Sequence, residues 1–153
     1  MNTTKLGQGF YWQDIQAGQR FETFARTITE TDLVNFISCT GMLEAIFIEA
    51  GYEGGAIQGR PVPGALTYTL MEGLILQTMI QGTGLAMLEL TQKIHGPVVV
   101  GDTVHALITV DEVRPTSKSK RAVVTSTIEV LNQRNECVMT YTAKRLLAGR
   151  SQS

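Results

Sequence analysis

The sequence contains few residues that could crosslink the chain, hold a metal or give it a strong charge. Its 153 residues include two cysteines and two histidines, and the formal net charge is −1. Cys39 and Cys137 have no metal-type spacing, so we expect neither a disulfide framework nor a metal site. The near-neutral charge gives no attraction to nucleic acid or an anionic membrane. Because no disulfide framework is expected, a reducing cytoplasm is the expected compartment.

Long apolar runs are also missing. The first ten residues contain no stretch apolar enough for a signal peptide. The most apolar segment, residues 64–81, is interrupted by Glu72, Gln77 and Gln81, and we expect that it does not span a bilayer. With 43% apolar and 18% charged residues, the composition is that of a globular protein. We predict one domain over 1–153, with a disordered tail at 148–153.

The first half of the chain alternates between regular elements and breaks. Residues 18–28 predict a strand. A capping box of Thr29 and Asp32 then starts a short amphipathic helix that ends near Gly41. Pro61 and Pro63 indicate a loop. From Gly64 about 17 residues predict a helix that is apolar on nearly every side and hence buried.

The second half predicts strands. AMLELTQKI, RAVVTSTIEVL and CVMTYTAKRLL have strand composition, and VHALITVDEV alternates apolar and polar residues. The order predicts an α+β fold in which an antiparallel meander surrounds one buried helix, as in the hot-dog architecture. Such a sheet has an exposed edge that a second subunit commonly covers, so we expect a homodimer or a higher homo-oligomer.

Residues from about Phe10 to Leu147 resemble the MaoC-like acyl-CoA dehydratases, also called (R)-specific enoyl-CoA hydratases. The stretches that carry the resemblance are FYWQDIQAGQRFETFARTITETDLVNF, GRPVPGALTYTLMEGL and GPVVVGDTVHALITV. The resemblance implies a hot-dog domain that hydrates an enoyl-CoA or dehydrates a 3-hydroxyacyl-CoA. Coenzyme A would then be part of the substrate, and no cofactor is expected.

The family's acid–base residues lie in a segment of the form Asp-x-Asn-Pro-x-His, which here matches MLEAIF. Met42 stands in place of the Asp and Phe47 in place of the His, while Glu44 takes the Asn position. The family's next motif, His-Gly, is here Pro63-Gly64. The resemblance therefore implies that Met42, Phe47, Pro63 and Gly64 border the substrate, but that the usual acid–base pair has been replaced.

Hydration of an enoyl thioester needs a base, an acid and a donor to the enolate oxygen. The unpaired amides at the start of the helix that begins at Gly64 fit the donor, although the glycine also fits a simple turn. His95 and His105 lie in the late strands, so they are weak candidates for the acid or base. Thr67 and Tyr68 are further candidate donors.

Three carboxylates are candidates for the acid and base. Glu44 is the best placed, and its apolar neighbours would raise its pKa; a buried structural or solvent-facing Glu is the alternative. Glu72 lies within the buried helix, where it faces either a cavity or a structural ion-pair partner. Glu49 fits a solvated helix face better, because five residues turn it away from Glu44 in a helix or a strand.

Basic side chains suggest where the phosphates of coenzyme A would bind. Arg60, in the loop before the long helix, is one candidate. The run RPTSKSKR at 114–121 is another, although a solvated hairpin tip explains that run better.

Three functions remain open at this point. The first is a MaoC-like hydratase or dehydratase with an altered acid–base site. The second is a hot-dog acyl-CoA thioesterase, which needs only one carboxylate and a backbone amide. The third is an acyl-CoA-binding or structural subunit without catalytic activity, for which the apolar Met42 and Phe47 are suited.

Overall fold

A central helix lies against an antiparallel sheet in the computed structural model, which describes residues 1–117 and 120–151. The helices are α1 (Glu30–Thr40), α2 (Ala45–Ile48) and α3 (Gly64–Thr78). The strands are β1 (Arg20–Glu22), β2 (Arg26–Thr27), β3 (Gly84–Ile94), β4 (Thr103–Pro115), β5 (Ala122–Leu131) and β6 (Cys137–Leu147). The sheet order is β1-β4-β5-β6-β3, and β2 pairs with the start of β4. The α+β arrangement predicted from the sequence is confirmed.

The inner face of the sheet follows the two-residue period of its strands. Along β4 the side chains of Val104, Ala106, Ile108 and Val110 are all buried, as the alternation predicts. The same alternation continues through β5 and most of β6. These side chains form one apolar core with the inner side of α3.

Helix α1 begins and ends as the sequence predicts. The hydroxyl of Thr29 accepts a hydrogen bond from the Asp32 amide, and the Asp32 carboxylate accepts one from the Thr29 amide. The bond from the Thr29 amide, together with the charge of Arg26, lowers the pKa of Asp32. Gly41 ends the helix in the left-handed conformation, with a φ of 75°.

Three details differ from the sequence prediction. The strand expected over 18–28 is broken into β1 and β2. At the break the Ala106 amide donates its hydrogen bond to the Thr23 hydroxyl, where a regular strand pair would use the Thr23 carbonyl. Helix α3 has 15 residues, not about 17. Strand β3 pairs with β6 and not with the strand that follows it, so only β4, β5 and β6 form a meander.

One side of α3 is open, although the sequence predicted a helix buried all round. Leu76 is 48% exposed, and every residue of the neighbouring edge strand β3 is exposed. The chain therefore does not cover the whole apolar surface of α3. Within the described part of the chain, no helix is both long enough and apolar enough to cross a bilayer.

The two ends of the chain are joined to each other. The Trp12 amide donates to the Ala148 carbonyl at 3.1 Å, and its indole Nε1 donates to the Lys120 carbonyl at 3.0 Å. Arg150 forms an ion pair with Asp14. Residues 148–150 therefore have defined contacts; the disorder predicted for 148–153 stays a prediction, and 152 and 153 lie outside the described residues.

Gly149 should be intolerant of a side chain, because a Cβ there would lie 1.9 Å from the Lys120 carbonyl oxygen. We expect Gly149→Ala to lower the free energy of unfolding in urea by about 1–3 kcal/mol. The matched control is Gly96→Ala, whose Cβ would meet no atom within 4 Å; it should change stability by less than about 0.5 kcal/mol. Equal effects of the two substitutions would contradict this packing.

Candidate active site

The segment that matches the family's catalytic motif forms an exposed wall after α1. We call Met42–Phe47 the α2 wall. Met42, Glu44 and Phe47 line one open concavity of about 520 Å³ together with Gly41 and Leu43. The Phe47 side chain is half-buried and packs against the main core. The structure therefore brings together three positions of the matching motif, whereas Pro63 and Gly64, which the resemblance also assigned to the site, do not line this concavity.

Glu44 occupies the position before the first residue of α2. Its carbonyl accepts hydrogen bonds from the Phe47 and Ile48 amides at 2.8 and 3.0 Å. Its carboxylate is exposed and has no hydrogen-bond or ion-pair partner among residues 1–117 and 120–151. The apolar enclosure that the sequence predicted for this group is thus absent from the single chain, and the solvent-facing alternative describes Glu44 better.

Glu49 lines a different concavity from Glu44. It borders a small depression with Ile46, Tyr52 and the glycine-rich loop before α3. It follows the last residue of α2 and is exposed. The expectation that Glu44 and Glu49 do not face one pocket is confirmed.

The start of α3 provides unpaired backbone donors. The Pro63 carbonyl accepts the Leu66 amide at 2.9 Å, whereas the amides of Gly64 and Ala65 donate to no acceptor in the described chain. A Cβ on Gly64 would lie 2.6 Å from Cδ1 of Ile94. The Ile94 side chain thus lies over the start of the helix, and because it is 61% exposed its end can move aside.

Glu72 is held in a buried ion pair with Arg145. Nη1 of Arg145 lies 2.7 Å from one carboxylate oxygen, and Nη2 donates to the other. The Tyr141 hydroxyl also donates to Glu72, at 2.7 Å. Burial, followed by the charge of Glu72, raises the pKa of the Tyr141 hydroxyl, so it stays a neutral donor. This is the structural ion pair that the sequence left open as the alternative for Glu72.

Sequence reasoning identified neither Arg145 nor Tyr141. Both lie on the buried face of β6, with Ala143 between them in the two-residue period. A lone cation on an apolar strand face signals a buried partner. That signal did not reveal which acid, 73 residues away, is the partner.

A second opening lies between α3 and the edge strand β3. It has a volume of about 410 Å³, and its lining includes Tyr68, Glu72, Leu76, Met87 and Arg145. The ring of Tyr68 meets that of Tyr141 edge-on, with centroids 5.1 Å apart. Burial and the charge of Glu72 raise the pKa of Tyr68. The ion pair thus lies beside an apolar groove and not beside the α2 wall.

Arg60 reaches from the loop before α3 to two other elements. Its Nη1 forms an ion pair with Glu30 of α1, and its Nη2 donates to the Phe47 carbonyl at 3.2 Å. The phosphate contact predicted for Arg60 stays a prediction. Of the run 114–121, Arg114 lies 4.0 Å from Glu112, and residues 118 and 119 fall outside the described chain.

The other candidates lie away from the α2 wall. His95 Nε2 is 2.9 Å from the Thr140 hydroxyl, and His105 Nε2 is 3.1 Å from Glu22. The Thr67 hydroxyl is buried and has no partner in the described chain. Within the same residues, no three His, Cys, Asp or Glu side chains are grouped so that they could hold a metal.

A sheet that wraps one central helix in this order defines the hot-dog class. The family model described as "FAS1-like, dehydratase domain region" matches residues 15–141. The chain therefore belongs to this dehydratase-domain family, with a MaoC-like hot-dog fold. A comparison with curated proteins gave no match.

Solved structures agree with this assignment. An Archaeoglobus monoamine oxidase regulatory protein shares 27% identity and a TM-score of 0.82, covering 94% of this chain and 97% of that one. A MaoC-like dehydratase from Rhodospirillum rubrum shares 22% identity and a TM-score of 0.84, covering 94% and 100%. The R-hydratase PhaJ1 from Pseudomonas aeruginosa shares 24% identity and a TM-score of 0.79, covering 94% and 88%.

Glu72→Gln should destabilise the fold, because it leaves the buried guanidinium of Arg145 without a counter-charge. We expect a loss of about 3–5 kcal/mol in the free energy of unfolding, measured in urea. The control is Glu112→Gln, which removes the exposed pair with Arg114 and should cost less than about 1 kcal/mol. A Glu72→Gln variant as stable as the native protein would contradict the structural role of this pair.

Proposed function

We propose that this protein acts on an acyl-CoA thioester as a MaoC-like hydratase or dehydratase, with Glu44 as acid and base. The proposal rests chiefly on the Glu44 carboxylate. This group has no partner in the described chain and shares one concavity with Met42 and Phe47. These two residues stand where the family has its Asp and His, so Glu44 is the carboxylate closest to the replaced pair.

In the proposed reaction Glu44 takes a proton from water while the hydroxyl oxygen bonds to the β-carbon of the enoyl group. The electron pair of the double bond moves toward the thioester, and negative charge develops on its oxygen. The unpaired amides of Gly64 and Ala65 suit that charge, because the helix N-terminus is positive. Glu44 then returns the proton to the α-carbon, so the net change is the addition of one water.

A non-catalytic acyl-CoA binder is the second candidate. The exposure of Glu44 favours it, because a general base works best where water is excluded and its pKa is raised. A charged side chain could hold the reacting water by a hydrogen bond. The side chains of Met42 and Phe47 have no group that does this. Such a protein would keep the acyl pocket and lose turnover.

A cytoplasmic location and the absence of a cofactor are also part of this proposal. Both cysteines are free, in agreement with a reducing compartment. The proposed chemistry needs no electron transfer or metal-bound water, since coenzyme A enters as part of the substrate.

A panel of short to long trans-2-enoyl-CoA esters tests the proposed reaction, with enoyl absorbance and free thiol followed together. We expect loss of absorbance without thiol. Glu44→Gln should lower kcat/KM by about 100-fold or more, because it removes the only proposed proton acceptor. The control, Glu49→Gln, should stay within about threefold.

Other outcomes of this assay identify the alternatives. Release of thiol would mean a thioesterase. Neither signal, with acyl-CoA still binding in a calorimeter, would mean a binder. Unchanged turnover in Glu44→Gln would remove Glu44 from the mechanism.

We further propose a homodimer formed by antiparallel pairing of two β3 edges. The exposed apolar side chains of this surface, which are Leu76, Leu85, Met87, Leu88, Leu90 and Ile94, make it costly to leave in water. The sequence of β3 is also complementary to itself. A two-fold axis at Thr91 sets Glu89 of one copy opposite Lys93 of the other, twice by symmetry.

Charge reversal tests this register. Glu89→Lys or Lys93→Glu alone sets like charges opposite each other and should raise the dimer dissociation constant about tenfold in sedimentation equilibrium. The double reversal should recover most of the loss, and Lys5→Glu, in the exposed N-terminal segment, should have no effect. A double variant whose dimer dissociates as readily as that of the single variants, or more readily, would rule out this register. A native protein that is monomeric would rule out the dimer.

A further inference from the structure

The α2 wall has little structure of its own to keep it in place. Helix α2 is a single turn of four residues, none of them fully buried, and Glu44 makes no side-chain cap. Met42, Leu43 and Glu44 before it are exposed. Helices this short are not stable without tertiary contacts. The position of the α2 wall must therefore depend on contacts from other elements.

Arg60 is attached to the sheet side of the molecule by its backbone. Its carbonyl accepts the Val100 amide at 2.9 Å, and the Val62 amide donates to Val98 at 3.0 Å. Pro61 forms an isolated bridge with Val99. The main chain from Arg60 to Val62 is thus held by residues 98–100, and the Arg60 side chain extends from this segment.

The guanidinium of Arg60 joins this segment to both α1 and α2. It pairs with Glu30, two residues before Asp32 in the first turn of α1, and donates to the Phe47 carbonyl at 3.2 Å. That carbonyl is among those at the end of α2 that have no partner within the helix. Only 18% of the Arg60 side chain is exposed, whereas its partner Glu30 is 66% exposed, so the ion pair lies at the surface while the guanidinium itself is mostly covered.

We infer that Arg60 is a positioning residue that holds the α2 wall, and with it Glu44 and Phe47, in place at the open concavity. This role deepens the proposed function and rests on it. It differs from the phosphate contact predicted from the sequence, because Nη1 and Nη2 are engaged within the chain, while the buried Nε has no partner in the described residues. A planar fork reaches both acceptors at once, whereas the single ammonium of a lysine does not.

Hydrogen–deuterium exchange of native protein and Arg60→Lys tests this inference on the chain alone. The amides to follow are those of Phe47, Ile48 and Glu49, which donate within or at the end of α2. We expect their exchange to accelerate at least tenfold in Arg60→Lys, with a smaller acceleration in Glu30→Gln, which keeps the contact to Phe47. The matched control is Arg26→Lys, since Arg26 pairs with Asp32 of α1 and not with α2; it should leave these amides unchanged.

Calorimetry with butyryl-CoA and with free coenzyme A completes the test. If Arg60 positions the wall, Arg60→Lys should weaken butyryl-CoA binding about tenfold and leave free coenzyme A within twofold. Equal weakening of both ligands, or unchanged exchange in both Arg60→Lys and Glu30→Gln, would overturn the inference. A native protein that binds neither ligand would refute the proposed function, while the exchange result would still decide whether Arg60 holds the wall.

Discussion

The buried pair of Glu72 and Arg145 is the interaction on which the placement of the central helix depends. A carboxylate and a guanidinium that meet through two parallel hydrogen bonds allow few relative orientations. The pair therefore fixes the rotation of α3 about its axis as well as its distance from β6. Gly64 begins the same rigid helix two turns earlier, so the pair also sets where the unpaired amides lie. Glu72 contributes to the site by placing other groups.

The second constraint is the chemistry of the α2 wall. The scaffold keeps the helix start and the concavity next to the first helix, but its replaced positions carry the side chains of Met42 and Phe47. A thioether and a phenyl ring can border an acyl chain, and neither can move a proton. In the proposed hydration the proton transfers depend on Glu44, which is exposed in the single chain. Enclosure by a bound ligand would give this carboxylate the apolar surroundings that a general base needs.

Much of the fold was predictable because it follows from local rules. The alternation along β4 and the capping box of Thr29 with Asp32 are each encoded within a few residues, and both are confirmed. The break between β1 and β2 was not predictable, because it depends on a contact between Thr23 and the distant Ala106. Hydrophobic patterning also failed for the open side of α3. The sequence pattern does not distinguish an apolar residue such as Leu76 that its own chain covers from one that another molecule covers.

The site was predictable in part for the same reason. Grouping of Met42, Glu44 and Phe47 follows from their closeness in sequence. The roles of Glu72 and Arg60 depend on partners that no spacing rule identifies: Arg145 is 73 residues from Glu72, and Glu30 is 30 residues from Arg60. A buried charge indicates that a partner exists, but only the three-dimensional arrangement shows which one.

The most direct test of the account is a crystal structure of the protein with a saturated acyl-CoA, which binds like the substrate but cannot be hydrated. The quantity to measure is the distance from the thioester oxygen to the Gly64 amide nitrogen. A thioester held by the start of α3 should show about 2.7–3.1 Å, with the acyl chain beside Phe47. A thioester bound away from the start of α3 would contradict it, and so would an acyl chain that does not touch the α2 wall.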